Sequence, residues 1–534
     1  MDSRKDVLTG LSITSETDRE GAESMVVETG GLRERNGERE HAGIAPFAGK
    51  PVLAIAGAMG AVLAATAGRY GYFGDELYFL AAGRHLDWGY ADQPPLLPLL
   101  ARLMAAFGAD SPFVLRIPAM LAMVAGVVLT ALIARELGGG RRAQTIAAAT
   151  FAVSVQMLGS GHYLATSTLD PFLWTLLIWL LVRWTRTRVD GLLLWSGVVT
   201  GFALNTKFLI GAFWVVALAA AAVFGPRDLV RRPALWLGAL IAAAMVTPTL
   251  VWQAANGWPQ LTMGAAISRE VSEGWGGRAT FVPTLVMSAG VPVGMILVCY
   301  GLWRLLRSER LRPHRFLGWT ALGVLALFLL ANGRYYYAAG MFAPLFAAAA
   351  VELEAGQASK YWRWIATWPV YLVAAVIAIP QTLPVLPRDE LANAPEWARP
   401  GLAHEEIGWR EITESVAQAY RAVPDPARTG VIAAKYWQAA AIDHYGPDLG
   451  LPSPSSPNRG YATLPRPPES ARDILFVGND PSVLVPYFTQ VREAGALDNR
   501  AGVPNSSQGM KIWLATGRTG SWDTVWPELT DWGF

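Results

Sequence analysis

Pro51-Val-Leu-Ala-Ile-Ala-Gly-Ala-Met-Gly-Ala-Val-Leu-Ala-Ala-Thr-Ala-Gly68 carries no charged side chain, and the chain turns polar directly after it, at Arg69 and then Gly74-Asp-Glu-Leu-Tyr78. With its neighbours the stretch is long enough to cross a hydrocarbon core of ~30 Å. Similar apolar stretches recur at 113–134, 143–160, 169–183, 191–206, 208–224, 234–254, 283–303, 316–332, 335–351 and 364–380. The fold class that follows is mainly α, a polytopic membrane protein of about eleven transmembrane helices.

Composition agrees. Of 534 residues 52% are hydrophobic and only 16% charged, against roughly a quarter charged in soluble domains. Mean hydropathy is +0.29. A net charge of +2 is too balanced for a nucleic-acid binder, and the single cysteine, Cys299, excludes a disulfide framework and a cysteine-based zinc site. The 22 tryptophans suit a chain with rings at membrane interfaces.

Three regions follow. Residues 1–50 are polar with mixed charge and read as a disordered cytoplasmic tail. Residues 51–380 hold the spans and form the catalytic domain. Residues 381–534 begin with a proline-rich linker and read as a small extracytoplasmic α/β domain. Its strands are expected at 430–436, 473–477 and 510–514 and its helices near 405–421 and 481–494, with Leu451 to Pro468 a loop. Alternate connectors carry arginines with few acids: Arg135/Arg141/Arg142, Arg183/Arg186/Arg188, Arg227/Arg231/Arg232 and Arg304/Arg307/Arg310/Arg312/Arg315. The excess of positive charge places these in the cytoplasm. The other connectors then face outward, together with the C-terminal region. The gap with Glu352 and Glu354 is balanced and gives no orientation.

Polar residues collect on the outward side. Asp75 and Glu76 follow the first span; adjacent residues do not share a helix face, so the two carboxylates have different jobs. For Asp75 a helix cap and a catalytic base are both open. Asp92 lies in Asp92-Gln-Pro-Pro95, His162 in Gly161-His-Tyr163, and Asp170 in Leu169-Asp-Pro171, where capping is the ordinary reading. Lys207 and Arg334 sit near helix ends, where either could snorkel. Arg269 and Glu270 read as a solvated surface pair. Transfer of a group from a lipid-linked phosphate needs a base for the acceptor hydroxyl and positive charge for the departing phosphate. A carboxylate with Lys, Arg and Tyr supplies both.

The motifs resemble those of bacterial members of glycosyltransferase family 39 in the C superfamily, relatives of protein O-mannosyltransferases and of the aminoarabinose transferase of lipid A. The resemblance rests on the Asp75-Glu76 pair, Asp92-Gln-Pro-Pro-Leu96, Gly161-His-Tyr-Leu-Ala-Thr-Ser-Thr-Leu-Asp-Pro171, Gly201-Phe-Ala-Leu-Asn-Thr-Lys207 and Gly333-Arg-Tyr-Tyr-Tyr337. Ala434-Lys-Tyr-Trp-Gln-Ala-Ala-Ala-Ile-Asp-His-Tyr-Gly446 resembles the extracytoplasmic domain of bacterial members. Phe208 stands where the family commonly has glycine.

The resemblance implies a membrane glycosyltransferase that moves a sugar from a polyprenyl-phosphate donor to an extracytoplasmic protein, glycan or lipid acceptor, with inversion. Asp75 would be the base. Glu76 would orient the loop, bind acceptor or hold a divalent metal, where the family uses one. Lys207, Arg334 and Tyr337 would receive the lipid phosphate, with Asp170, His162 and Asp92 in support. The expected location is a bacterial plasma membrane. The rival readings are a transporter or lipid flippase, which would favour internal repeats and broken helices, and an inactive receptor that keeps the fold.

Overall fold

The computed structural model describes residues 44–108, 110–357 and 360–530. Most of the expected tail, 1–43, lies outside the described residues. Residues 46–534 form one compact unit.

Each of the eleven apolar stretches falls on helical backbone. Among the described residues, five helical segments are long and apolar enough to cross a membrane: Gly49–Thr66, Pro112–Glu136, Pro233–Ala255, Arg312–Leu330 and Tyr335–Glu354. A sixth span arises if the pair Gly277–Ser288 and Val293–Arg307, bent by 105°, is counted as one. Helices Leu96–Phe107, Gly191–Leu204, Leu209–Phe224 and Trp368–Thr382 are apolar but shorter. The stretch 143–160 is interrupted between Arg141–Ala152 and Val155–Ser160. Helix pairs approach closely where side chains vanish: a Cβ on Gly197 would collide with the backbone of Gly238, the small-residue packing that lipid-embedded helices rely on.

The arginine-rich connectors meet one another. Arg186 Nε donates to Glu136 at 2.5 Å, Arg188 Nη1 to Asp228 at 2.7 Å and Arg304 Nε to Glu352 at 2.7 Å. Glu354 accepts from the backbone of Gly140 and Arg142 at the start of Arg141–Ala152. These gaps therefore occupy one end of the bundle. Glu352 and Glu354, uninformative in sequence, are the counter-charges of that end.

The first long connector is itself folded, into helices Gly74–Arg84 and Leu96–Phe107. Trp252 donates from Nε1 to Asp87 in this connector at 2.7 Å.

The C-terminal region contains a sheet of four strands, β1 (Thr429–Ala433), β2 (Asp473–Val477), β3 (Phe488–Ala496) and β4 (Lys511–Arg518), in the order β1-β2-β4-β3. β1 and β2 are parallel, and β4 runs antiparallel to β2 and β3. The helix expected at 481–494 is corrected to strand β3. Pro486 removes a donor that a helix interior needs, and the segment Phe488-Thr-Gln-Val491 pairs with β4 instead. Two helices not foreseen, Tyr436–Tyr445 and Trp522–Leu529, complete the region. The first lies against Gly74–Arg84: a Cβ on Gly74 would enter the Trp437 indole.

Candidate active site

Helix Gly74–Arg84 begins with Phe73 as its N-cap residue, and Glu76 takes the capping role by accepting from the Phe73 backbone N–H at 2.8 Å. The capping reading of Asp75 is thereby corrected. Relieved of that task, Asp75 turns to the other side of the helix, toward a cavity. Tyr436 Oη donates to its Oδ1 at 2.7 Å and Trp437 Nε1 donates to the same oxygen at 2.8 Å. Oδ2 receives no donor among the described residues. Burial, followed by the adjacent Asp75 charge, holds the Tyr436 phenol well above its usual range, so it stays a donor.

Two cavities meet at Asp75. The smaller, of about 100 Å³, is polar and brings together Asp75, Asp92, Lys207, Arg334 and Tyr337, with Arg459 from the C-terminal region. The larger, of about 340 Å³, shares Asp75, Arg334 and Arg459 with the first and adds Glu270, Tyr163, Trp275 and Tyr335 with neutral polar groups such as Gln156 and Ser160. Lys207 Nζ sits 4.1 Å from the centroid of the Tyr337 ring, a cation–π contact that steers the ammonium without neutralising it. Arg334 Nη1 donates to Tyr336 Oη at 2.8 Å, and its Nη2 reaches both oxygens of Glu270 at 2.7 and 2.8 Å. Arg459 Nη2 donates to Glu270 at 3.0 Å. Asp92 accepts from Tyr78 Oη at 2.8 Å. Burial pushes its carboxyl up, against the Tyr78 hydrogen bond and the Arg459 charge.

Asp170 is not a cap. It lies inside helix Thr166–Thr187, accepts from Trp174 Nε1 at 3.1 Å and feels the charge of Lys207. Glu76 and His162 stand apart from both cavities. Glu76 is fully buried and pairs with Arg116, Nε to Oε1 at 2.9 Å and Nη2 to Oε2 at 2.8 Å, while accepting from Leu164 N–H at 2.9 Å. Arg116 also donates to Ala67 O and Gly71 O. His162 Nε2 lies 3.0 Å from Glu406. This cluster ties the end of the first span to the chain beyond the last one and fixes the helix start that aims Asp75. Among the described residues no group of three or more His, Cys, Asp or Glu side chains is placed to hold a metal ion.

Sequence reading missed Glu270, Tyr436, Trp437 and Arg459. Glu270 was paired with Arg269, but Arg269 is exposed while Glu270 turns inward onto two arginines. Arg459 lies in a loop rich in Pro and Ser, and its one local signal is structural: its φ of +48° is left-handed, an uncommon state for a non-glycine residue that concentrates at functional sites.

Residues 92–252 match the sequence profile of the family described as dolichyl-phosphate-mannose-protein mannosyltransferase. The fold extends the likeness over the rest. The structure of ArnT from Cupriavidus metallidurans bound to undecaprenyl phosphate superposes with a TM-score of 0.58, at 14% identity, covering 88% of this chain and all of that one. The chain thus resembles that mannosyltransferase family over residues 92–252 and shares the fold of ArnT. The apo form of the same ArnT gives a TM-score of 0.57 at 14% identity, over 86% of this chain and 97% of that one. At such identity the structural likeness is one of fold. No curated protein sequence matches the chain. Its apolar helices make the chain a multi-pass membrane protein, and the candidate site is shared between connectors of the helical bundle and the C-terminal region.

Proposed function

We propose that the protein transfers a sugar from a polyprenyl-phosphate donor to a hydroxyl acceptor on the outer face of a bacterial plasma membrane, with inversion at the anomeric carbon. The observation that carries this reading is the position of Asp75 where a small polar cavity meets a larger one, with Arg334 and Arg459 at the border of both. The polar one, with Lys207, Arg334 and Tyr337, suits a phosphate; the larger one suits the acceptor. Asp75 Oδ2 takes the proton of the acceptor hydroxyl as its oxygen attacks the anomeric carbon. The bond from that carbon to the phosphate oxygen breaks, and the polyprenyl phosphate leaves with its negative charge held by Lys207 and Arg334. Attack from the side opposite the phosphate inverts the centre. Asp92 and Asp170 support the cations. Glu76 and His162 act through the buried cluster by holding the connector, the first of the roles open to Glu76.

The same reading makes residues 51–380 the transmembrane catalytic domain and residues 381–534 an extracytoplasmic domain, with about eleven spans. The gathering of arginine connectors at one end supports a cytoplasmic placement of that end. A relative of this fold has been solved with undecaprenyl phosphate, which supports a lipid phosphate as the donor's carrier.

The test is reconstitution. Purified protein in lipid, given a panel of polyprenyl-phosphate sugars, releases polyprenyl phosphate from one of them when acceptor is present. Solute uptake into vesicles holding no lipid-linked donor would instead support a transporter and overturn this reading.

A further inference from the structure

The polar site already holds both signs of charge. Lys207, Arg334 and Arg459 are its cations and Asp75 and Asp92 line it as acids; Asp170 stands near Lys207, and Glu270, in the wall of the larger cavity, is already paired with both arginines. A sugar phosphodiester brings one more negative charge into a place where side chains are largely shielded from water: Arg334, Glu270 and Arg459 are 14%, 8% and 9% exposed. An unpaired charge is costly there, so one carboxylate has to withdraw as the donor arrives.

Three of the four acids are tied down. Asp75 is held by Tyr436 and Trp437, Asp92 by Tyr78, and Asp170 by Trp174 within its own helix. Glu270 differs. Among the described residues its partners are the two arginines themselves, which it grips through both oxygens as a phosphate would. It is carried by helix Pro259–Gly274, in which only Pro259, Met263, Ala266 and Val271 are buried. That helix is bounded by left-handed backbone at Gly257 and Gly276.

We propose that Glu270 is an internal stand-in for the donor phosphodiester: it occupies the seat formed by Arg334 and Arg459 in the empty protein and gives it up to the incoming phosphate. This rests on the polyprenyl-phosphate reading above. It adds Arg459, from the C-terminal region, to the phosphate seat and makes Glu270 a competitor rather than a ligand. The seat carries the same net charge in both states, so the arginines are never left unpaired.

The test uses the full chain in nanodiscs with undecaprenyl phosphate as probe and neutral undecaprenol as control. Glu270→Gln keeps an oxygen for Arg334 but removes the charge, and is expected to bind the phosphate about tenfold more tightly, with undecaprenol unchanged. Glu270→Ala should move in the same direction, and Arg459→Gln should weaken phosphate binding by a similar factor. A merely structural role for Glu270 would loosen binding on substitution. Equal or weaker phosphate binding by both Glu270 variants, with Arg459→Gln still impaired, overturns the exchange and leaves the donor reading standing. No preference for the phosphate over undecaprenol in any form overturns both.

Discussion

Replacing Asp75 by Asn tests the mechanism at a single atom. Trp437 Nε1 can only donate, and it donates to Oδ1 together with Tyr436 Oη. An asparagine at 75 must therefore present its carbonyl oxygen to that pair, which turns its NH₂ toward the cavity in place of Oδ2. The fold keeps both hydrogen bonds, weakened from charge-assisted to neutral at a cost of about 1 kcal/mol. The basic atom is lost. Proton transfer by a positioned base is worth about 10²–10⁴ in rate, which is about 2.7–5.4 kcal/mol of barrier. The assay is release of polyprenyl phosphate by the purified variant under saturating donor, alongside its unfolding midpoint from tryptophan fluorescence. The expected result is a loss of at least a hundredfold in kcat with the midpoint close to that of the native chain. An intact variant that keeps more than about a tenth of the native rate refutes Asp75 as the base.

Arg116→Met leaves Glu76 and Glu406 buried without their cation and should lower stability by about 3–5 kcal/mol; an unfolding midpoint equal to the native one would contradict the reading of that cluster as the anchor of the connector. Gly460→Ala drives a methyl group into Tyr78 Oη and Asp92, displacing the neighbouring Arg459, and a shift of about 1 Å in a site is worth about a hundredfold in rate. Native kcat in that variant would show that the loop does not set the site. Burial holds the His444 imidazole below its usual 6.5. The folded chain therefore resists a proton that the unfolded chain accepts, so stability is present above pH 6.5 and falls as the pH drops below it. Thermal unfolding of His444→Gln should lose part of that acid sensitivity; an unchanged pH profile would assign the effect elsewhere.

Much of the architecture was legible from hydropathy, because a helix in lipid satisfies its backbone within its own segment and so answers to local sequence. The polar residues of the outward connectors were legible as a group for the same reason: sidedness follows from counting spans. Strand β3 was not legible, since a short segment with Pro486 before it and Gly495 within it takes its structure from pairing with β4.

By itself, then, the sequence determined a bundle of apolar helices and nominated Asp75, Asp92, Lys207, Arg334 and Tyr337 as neighbours. Only the tertiary structure decided what surrounds each of them. Which of two adjacent acids caps a helix and which faces a cavity depends on Arg116, 40 residues from Glu76, and on Tyr436, 361 residues from Asp75. Glu270 changed from a surface charge to the plug of an anion seat because Arg459 reaches it from 189 residues away. A buried charge is defined by what neutralises it, and those partners are brought in by folding rather than by spacing along the chain.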